Sequence, residues 1–305
     1  MMSFTLTILG SSSAIPTSKR FSTAQVMNML ERFFLIDCGE GTQIQMRKFK
    51  IPFGKINNIF ISHLHGDHFF GLLGLISTFN LINREVDLHI YCPTDLENII
   101  NCQLNYFENN LNFKIIYHPL NFSKPELVYE DDKLTITSFP LKHKIPTCGF
   151  LFQEKQKPRN IIKEKVQQLN ISIKDILKIK QGDDFIANNG EVHKNEDLTL
   201  SPTKPLSYAY CSDTAYCEDL IPVIRKVDLL YHETTFMRDM KERANETLHS
   251  TTIDAANIAT KAEVKELIIG HFSARYKDIE PVLNETKSIF PNSIAAEDGM
   301  VVSRK

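Results

Sequence analysis

Short apolar runs followed by polar loops recur along the chain. Residues 4–8 alternate between apolar and polar side chains before a serine-rich loop, and the apolar runs 33–36 and 59–61 also lead into polar segments. A period of two predicts β-strands, and Gly and Ser clusters mark the loops that end them. The same pattern predicts further strands at 88–92, 134–139, 206–210, 227–231 and 266–269.

Two helices are predicted between these strands. Apolar residues dominate 69–79, and 95–104 can form a helix capped by Thr94. Because some strands follow one another without an intervening helix, the order favours an α/β fold of mixed sheets covered by helices. A sandwich of two such sheets fits, although periodicity alone does not select it.

The chain of 305 residues can still close around one layered core, so we expect a single domain over 1–305. The polar, Lys-rich stretch 153–200 interrupts this pattern and predicts an inserted arm. Within 153–180, eight Lys or Arg stand against three Asp or Glu, a local charge of +5, whereas the whole chain carries −2. Any attraction for a polyanion must therefore come from a local patch such as this arm.

Other features narrow the class of protein. The N-terminal residues lack the pattern of a secretory signal, and no run of about 18 apolar residues occurs, so we expect a cytoplasmic protein without a membrane anchor. The six cysteines lack C-x-x-C spacing, which favours buried free thiols over a thiolate zinc site.

Four potential metal ligands lie within six residues, directly after the strand predicted at 59–61. They are His63, His65, Asp67 and His68, and Gly66 among them permits a tight turn. Imidazole and carboxylate groups suit zinc, and their density exceeds what one tetrahedral ion takes from one loop. The cluster therefore predicts two metal ions.

Two ions about 3.5–4 Å apart are suited to phosphodiester hydrolysis. Further ligands must come from elsewhere, and His143, Asp213 and His271 are candidates because each follows a predicted strand. A lone histidine is more often structural, which is our interpretation of the three that match no motif: His89, His118 and His193.

The motif His-x-His-x-Asp-His is the signature of the metallo-β-lactamase fold, and SHLHGDHFFGLLGL at 62–75 resembles the ribonuclease Z branch of that superfamily. Similar segments extend along the chain at 37–43, 232–235, 249–251 and 271–276. The resemblance implies an α/β, metallo-β-lactamase-like αββα sandwich of two mixed β-sheets flanked by helices, with an inserted arm.

The resemblance also implies roles for individual residues. By this resemblance, one zinc ion is bound by His63, His65 and His143, and a second is bound by Asp67, His68 and His271. Asp213 bridges the two ions. Asp67 is also the implied general base, while Glu233 and His249 match positions linked to protonation of the leaving oxygen. Asp37 is expected to orient a ligand histidine, and Arg275 to contact a phosphate.

The activity implied by the resemblance is that of a zinc-dependent endoribonuclease. Such an enzyme removes the 3′ trailer of tRNA precursors after the discriminator nucleotide and leaves a 3′-hydroxyl. The arm over 153–200 would grip the precursor tRNA, and the protein would be a homodimer in which each arm serves the partner's active site.

Two alternatives stay open at this point. A metal-dependent small-molecule phosphodiesterase or an arylsulfatase-like hydrolase could use the same fold, since fold and metal site do not fix the substrate. A non-catalytic RNA-binding module is the second alternative, and it would be expected to lack a ligand or the general base.

Overall fold

Two mixed β-sheets pack face to face in the computed structural model, which describes residues 4–107 and 110–304. The ends of the predicted domain 1–305 therefore lie outside the described residues. The strands are β1 (Phe4–Gly10), β2 (Ala24–Met29), β3 (Arg32–Ile36), β4 (Ile56–Phe60), β5 (Leu88–Cys92), β6 (Ile115–Pro119), β7 (Glu126–Glu130), β8 (Leu134–Leu141), β9 (Thr147–Glu154), β10 (Asn160–Ile161), β11 (Phe185–Ile186), β12 (Val192–His193), β13 (Thr199–Leu200), β14 (Ser207–Cys211), β15 (Leu229–Glu233), β16 (Leu267–Gly270), β17 (Ser293–Ala295) and β18 (Val301–Arg304).

Helices cover the outer faces of both sheets. The α-helices are α1 (Thr42–Lys48), α2 (Gly66–Phe69), α3 (Leu72–Leu81), α4 (Asp95–Phe107), α5 (Lys163–Gln168), α6 (Ile173–Gln181), α7 (Asn195–Leu198), α8 (Ile221–Ile224), α9 (Lys241–Thr247), α10 (Thr252–Lys261) and α11 (Glu280–Lys287). Short 3₁₀ turns occur at Phe53–Lys55, Glu218–Leu220 and Arg238–Met240. In the described ranges no helix is both long and apolar enough to span a bilayer.

The two sheets have matching architectures. The first runs β18-β1-β2-β3-β4-β5-β6 and the second β17-β16-β15-β14-β9-β8-β7. In each sheet one half is antiparallel and the other parallel. The predicted αββα sandwich of mixed sheets is thus confirmed. Because parallel strands deliver their carboxyl ends to one edge, the loops after β4, β14, β15 and β16 can meet there.

Aromatic side chains fill the space between the sheets. Phe60 of the first sheet packs edge-to-face on Phe150 of the second at 5.3 Å, and Phe34 contacts Phe152 at 5.6 Å. A second apolar layer joins the first sheet to α1, α3 and α4. Burying these rings contributes roughly 1.5–3 kcal/mol for each side chain and fixes the strand ends that carry the polar loops.

Two predicted elements differ from the structure. The helix predicted at 69–79 is broken into α2 and α3, because the N–H of Gly71 donates to the carbonyl of Cys38 at 2.9 Å. A Cβ at Gly71 would lie 2.1 Å from the carbonyl oxygen of Gly39, so this close backbone approach requires glycine. The strand predicted at 227–231 is shifted to Leu229–Glu233, which places His232 and Glu233 inside the strand.

The segment between β9 and β14 has secondary structure of its own. It contains α5 to α7 and two short β-ribbons, β10 with β13 and β11 with β12. Ile171, Ile179 and Leu198 form a small apolar cluster separate from the main core. This segment corresponds to the arm predicted at 153–200, except that Gln153 and Glu154 still belong to β9.

Candidate metal centre and active-site cavity

A cavity of about 890 Å³ opens where loops from both sheets meet. The loops after β1, β3 and β4 form one wall, and those after β8, β14, β15 and β16 form the other. Predicted site residues that line the cavity are His65, Asp67, His143, Asp213, His249, His271 and Arg275. The remaining ligand candidates, His63 and His68, are fully buried beneath it.

Four ligand atoms converge on one point of this cavity. His63 Nε2 and His143 Nε2 lie 3.1 Å and 3.2 Å from His65 Nδ1. Asp213 Oδ2 lies 3.4 Å, 4.0 Å and 3.6 Å from the ligand nitrogens of His63, His65 and His143. Metal bonds of about 2.1 Å in a tetrahedron place neighbouring ligand atoms about 3.4 Å apart. The spacing therefore fits one ion.

A second group of four atoms lies on the other side of Asp213. Asp67 Oδ2 is 3.4 Å from His68 Nε2 and 3.3 Å from His271 Nε2. Asp213 Oδ1 is 3.4 Å and 3.0 Å from the same two nitrogens. Asp213 thus directs one carboxylate oxygen toward each group, the geometry of a bridging ligand.

The donor set fits divalent cations. His68 Nε2 is buried and has no hydrogen bond within the described residues, although it faces two carboxylate oxygens. A buried polar atom without a partner is costly, and a cation shared with Asp67 and Asp213 would satisfy it. We conclude that the site can bind metal, as its grouped His and Asp ligands also indicate.

Hydrogen bonds behind the ligands fix their rings. His68 Nδ1 contacts Asp37 Oδ2 at 2.8 Å, and the buried Asp37 also accepts from the N–H and hydroxyl of Ser62 and from the hydroxyl of Tyr210. Such partners set the tautomer and orientation of ligand histidines. The expected role of Asp37 in orienting a ligand thus agrees with its contacts.

The other candidate ligand histidines that direct Nε2 toward the centre each have a hydrogen-bond partner at Nδ1. His63 Nδ1 lies 3.0 Å from the Ser62 hydroxyl, and His271 Nδ1 lies 2.9 Å from the Thr235 hydroxyl. His143 Nδ1 donates to the carbonyl of Leu248 at 2.9 Å. Sequence reasoning missed Ser62, Thr235 and Leu248 as supports. Ser62 and Thr235 adjoin or lie within the segments that carry the resemblance, whereas nothing in the sequence marks the Leu248 carbonyl.

Backbone conformation at the site is unusual in three places. Asp37, Leu248 and His271 have φ values of 55°, 56° and 59°. Residues other than glycine rarely adopt this left-handed backbone conformation. Each such residue costs on the order of 1–3 kcal/mol, which the surrounding fold must offset. All three place groups that bind or orient the candidate ligands.

Burial and neighbouring charges set the protonation of the ligands. Burial lowers the pKa of His63 to about 4 and also lowers that of His143, so both rings are neutral at neutral pH. Burial opposes ionisation of Asp213, but the His271, His68 and His63 rings lower its pKa well below the usual value. Burial also opposes protonation of His68, but the charges of Asp67, Asp213 and Asp37 raise its pKa well above the usual value, so this ring must release its proton when a cation binds.

Glu233 and His249 form a pair at the rim of this centre. Glu233 Oε1 lies 2.8 Å from His249 Nδ1 and also accepts from the N–H groups of Thr214 and Ser250. The N–H of Thr235 donates to the other oxygen. His249 stacks at 5.6 Å on His271 and lines the cavity, so its ring lies beside the candidate ligands.

Arg275 and the three unassigned histidines occupy different environments. The guanidinium of Arg275 lies 5.1 Å from the ring centroid of Phe236 at the cavity wall. His89 and His118 contact each other at 2.9 Å in neighbouring strands β5 and β6. His193 stacks on Phe185 in the inserted segment. These contacts agree with structural roles for the three histidines.

Comparisons with known proteins identify relatives along the whole chain. Residues 4–169, just over half of the chain, match the family model of the anti-Pycsar protein Apyc1. The ribonuclease Z of Bacteroides thetaiotaomicron is 47% identical over 99% of this chain and 96% of its own length. That of Bacteroides fragilis strain NCTC 9343 is 46% identical over 99% of this chain and 100% of its length.

A solved structure supports the same relationship. The crystal structure of human tRNase Z, short form, superposes with a TM-score of 0.72 and is 27% identical, covering 98% of both chains. The chain therefore belongs to the ribonuclease Z family, and through residues 4–169 also to the family of the anti-Pycsar protein Apyc1.

Proposed function

We propose that the chain is a zinc-dependent endoribonuclease that removes the 3′ trailer of tRNA precursors and leaves a 3′-hydroxyl on the discriminator nucleotide. The observation that carries this proposal is the full-length likeness to proteins named ribonuclease Z. The two ligand groups and the rim pair Glu233 and His249 support hydrolysis of a phosphodiester with a poor leaving group.

The residues around the cavity have distinct proposed roles. One zinc ion would be bound by His63, His65 and His143. The other would be bound by Asp67, His68 and His271, and Asp213 would bind both ions. When bound, the two ions supply Lewis acidity that polarises the phosphate and lowers the pKa of the attacking water. Asp67, ionised and at the cavity floor, would accept the proton of that water.

His249 would complete the reaction on the opposite side of the phosphate. Its Nδ1 is engaged by Glu233, so Nε2 is the ring nitrogen left to donate a proton to the departing 3′ oxygen. Arg275, together with Lys144 and Arg243 at the same wall, would bind the flanking phosphates. These contacts position the RNA without reading its sequence.

Cleavage of a 3′-extended tRNA precursor tests the proposal. Wild type, Asp67→Ala and a control, Asp219→Ala, whose exposed carboxylate lies outside the cavity, would be compared with metal content measured on each. We expect a cut after the discriminator nucleotide that requires metal and Asp67 but not Asp219. Metal binding with hydrolysis of small diesters only would instead favour the phosphodiesterase alternative.

The inserted segment between β9 and β14 is proposed as the arm that binds precursor tRNA. Lys163, Lys165, Lys174 and Lys178 are exposed on α5 and α6, so their charges are available to phosphates. The family further suggests a homodimer in the cytoplasm, with each arm serving the partner's site. Mixing an arm-deleted chain with Asp67→Ala tests this, because only a heterodimer would recover cleavage.

A further inference from the structure

The two walls of the cavity differ in chemistry. The wall from the second sheet carries the cations Lys144, Arg243 and Arg275. The wall from the first sheet presents the apolar side chains of Ile15, 67% exposed, and Phe70, 66% exposed, and it also carries the exposed carboxylate of Glu40. Phosphates are attracted to the cationic wall and repelled by Glu40, whereas bases can pack on the apolar groups, so the cavity suits a single-stranded nucleic acid.

Phe70 is held close to the metal centre. Its ring lies over the α-carbon of Gly66, since a Cβ at Gly66 would be 2.3 Å from Phe70 Cε2. Gly66 separates the candidate ligands His65 and Asp67, so the ring packs on the backbone that carries them. Phe69 supports it edge-to-face at 4.9 Å. The Phe70 ring is thus held in place by Gly66 and Phe69, and it remains exposed to the cavity.

His249 indicates which nucleotide faces Phe70. In the proposed reaction His249 donates a proton to the 3′ oxygen of the discriminator nucleotide, which places that nucleotide against the second wall. The nucleotide on the other side of the phosphate, the first of the trailer, then lies toward the first wall. Building on the proposed function, we infer that Phe70 stacks on the base of the first trailer nucleotide and so favours an unpaired 3′ extension.

A substrate lacking one base tests this contact. The precursor would be prepared intact, abasic at the first trailer nucleotide, or abasic at the discriminator, and cleaved by wild type, Phe70→Ala, Phe70→Leu and Phe70→Tyr. Tyr106→Ala, an aromatic residue 86% exposed on α4 and outside the cavity, is the matched control. Metal content and thermal unfolding would verify that each variant is intact.

Base stacking on an aromatic ring corresponds to about a 5- to 150-fold effect. We expect wild type to lose kcat/KM by this factor on the trailer-abasic substrate, mainly through KM. Phe70→Ala should lose a similar factor on the intact substrate and little more on the abasic one. Phe70→Tyr should retain the rate, Phe70→Leu should not, and Tyr106→Ala should match wild type.

Other results would overturn the assignment in recognisable ways. If the losses from Phe70→Ala and from the missing trailer base multiply, the two groups do not contact each other. Coupling of Phe70 to the discriminator base instead would show that the nucleotide is assigned wrongly. Failure of wild type to cut the intact precursor would remove the proposed function and this contact together.

Discussion

His249 Nδ1 lies 2.8 Å from a carboxylate oxygen of the fully buried Glu233. Burial alone lowers the pKa of His249, but the charge of Glu233 outweighs it and raises the pKa to about 9. Three backbone N–H groups fix the carboxylate, so it cannot turn away from the ring. His249 is therefore kept protonated at neutral pH, as a group that protonates a leaving oxygen must be.

Glu233→Gln should change the pH dependence of cleavage. The substitution preserves the shape of the side chain but removes the charge, so the pKa of His249 should fall. Because the proposed reaction needs protonated His249, the alkaline limb of kcat/KM should move to lower pH than in wild type. Rate profiles on precursor tRNA would measure the shift. A profile of lower height but unchanged limbs would mean that Glu233 only positions the ring.

His249→Ala should affect substrates according to their leaving groups. For precursor tRNA, whose departing 3′ oxygen needs a proton, we expect kcat to fall by about 10²- to 10⁴-fold. Bis(p-nitrophenyl) phosphate releases a stable phenolate, so its hydrolysis should fall much less. The ratio of the two rates is the measurement. Equal losses on both substrates would place His249 in metal binding or structure instead of proton transfer.

The sequence predicts the candidate metal ligands better than the residues that hold them in place. The candidate ligands from His63 to His68 are neighbours in the chain. A dense polar cluster directly after a buried strand needs a cation or hydrogen-bond partners, whatever the rest of the fold. The supports have no such local signal. Tyr210 reaches Asp37 across 173 positions, and the Leu248 carbonyl reaches His143 across 105. In the sequence, Tyr210 resembles any core tyrosine of an alternating strand.

In the fold, too, features that depend on local sequence could be predicted, and features that depend on distant contacts could not. Strands such as 88–92 follow from a short local run of mainly apolar residues, and this strand is buried on both faces, with Leu88, Ile90 and Cys92 toward the helices and Tyr91 toward the other sheet. The break between α2 and α3 could not be predicted, since it depends on Gly71 meeting Cys38 and Gly39 from a distant loop. Tertiary contact overrides helical periodicity at that point.

Asp37→Ala should weaken metal binding as well as stability. The substitution leaves the hydroxyl of Tyr210 and the N–H of Ser62 without a buried acceptor, which costs about 1–3 kcal/mol for each group. It also frees the ring of His68, so metal affinity should fall about 10- to 100-fold. Chelator competition and unfolding of the metal-free protein would separate the two effects.

Asp131→Ala provides the matched control for Asp37→Ala. Asp131 accepts hydrogen bonds from Arg32 and from the backbone of Lys133 and Leu134, away from the cavity. We expect it to lower stability without changing metal affinity. Equal metal affinities in the two variants would contradict the orienting role of Asp37.

Removing two arm lysines should alter the salt dependence of tRNA binding. Lys174→Ala with Lys178→Ala removes exposed charges from α6, and each lost phosphate contact should reduce the slope of log affinity against log salt by about 0.7 to 0.9. Lys124→Ala with Lys287→Ala changes the net charge equally outside the arm and should leave the slope unchanged. Equal slopes for both pairs would mean that the arm lysines are solvent-exposed surface residues that do not contact tRNA phosphates.

The number of metal ions bound per chain tests the proposed bridging role of Asp213. His65 contributes to one ligand group, so His65→Ala should lose about one ion and keep the other. Asp213 directs Oδ2 to the first group and Oδ1 to the second, so Asp213→Ala should weaken both sites. Elemental analysis after dialysis against a mild chelator, with Asp219→Ala as control, would count the ions. Because bound metal stabilises the folded state by mass action, Asp213→Ala should also show the smaller rise in unfolding temperature on adding zinc. Retention of one tightly bound ion in Asp213→Ala would mean that its carboxylate serves a single site.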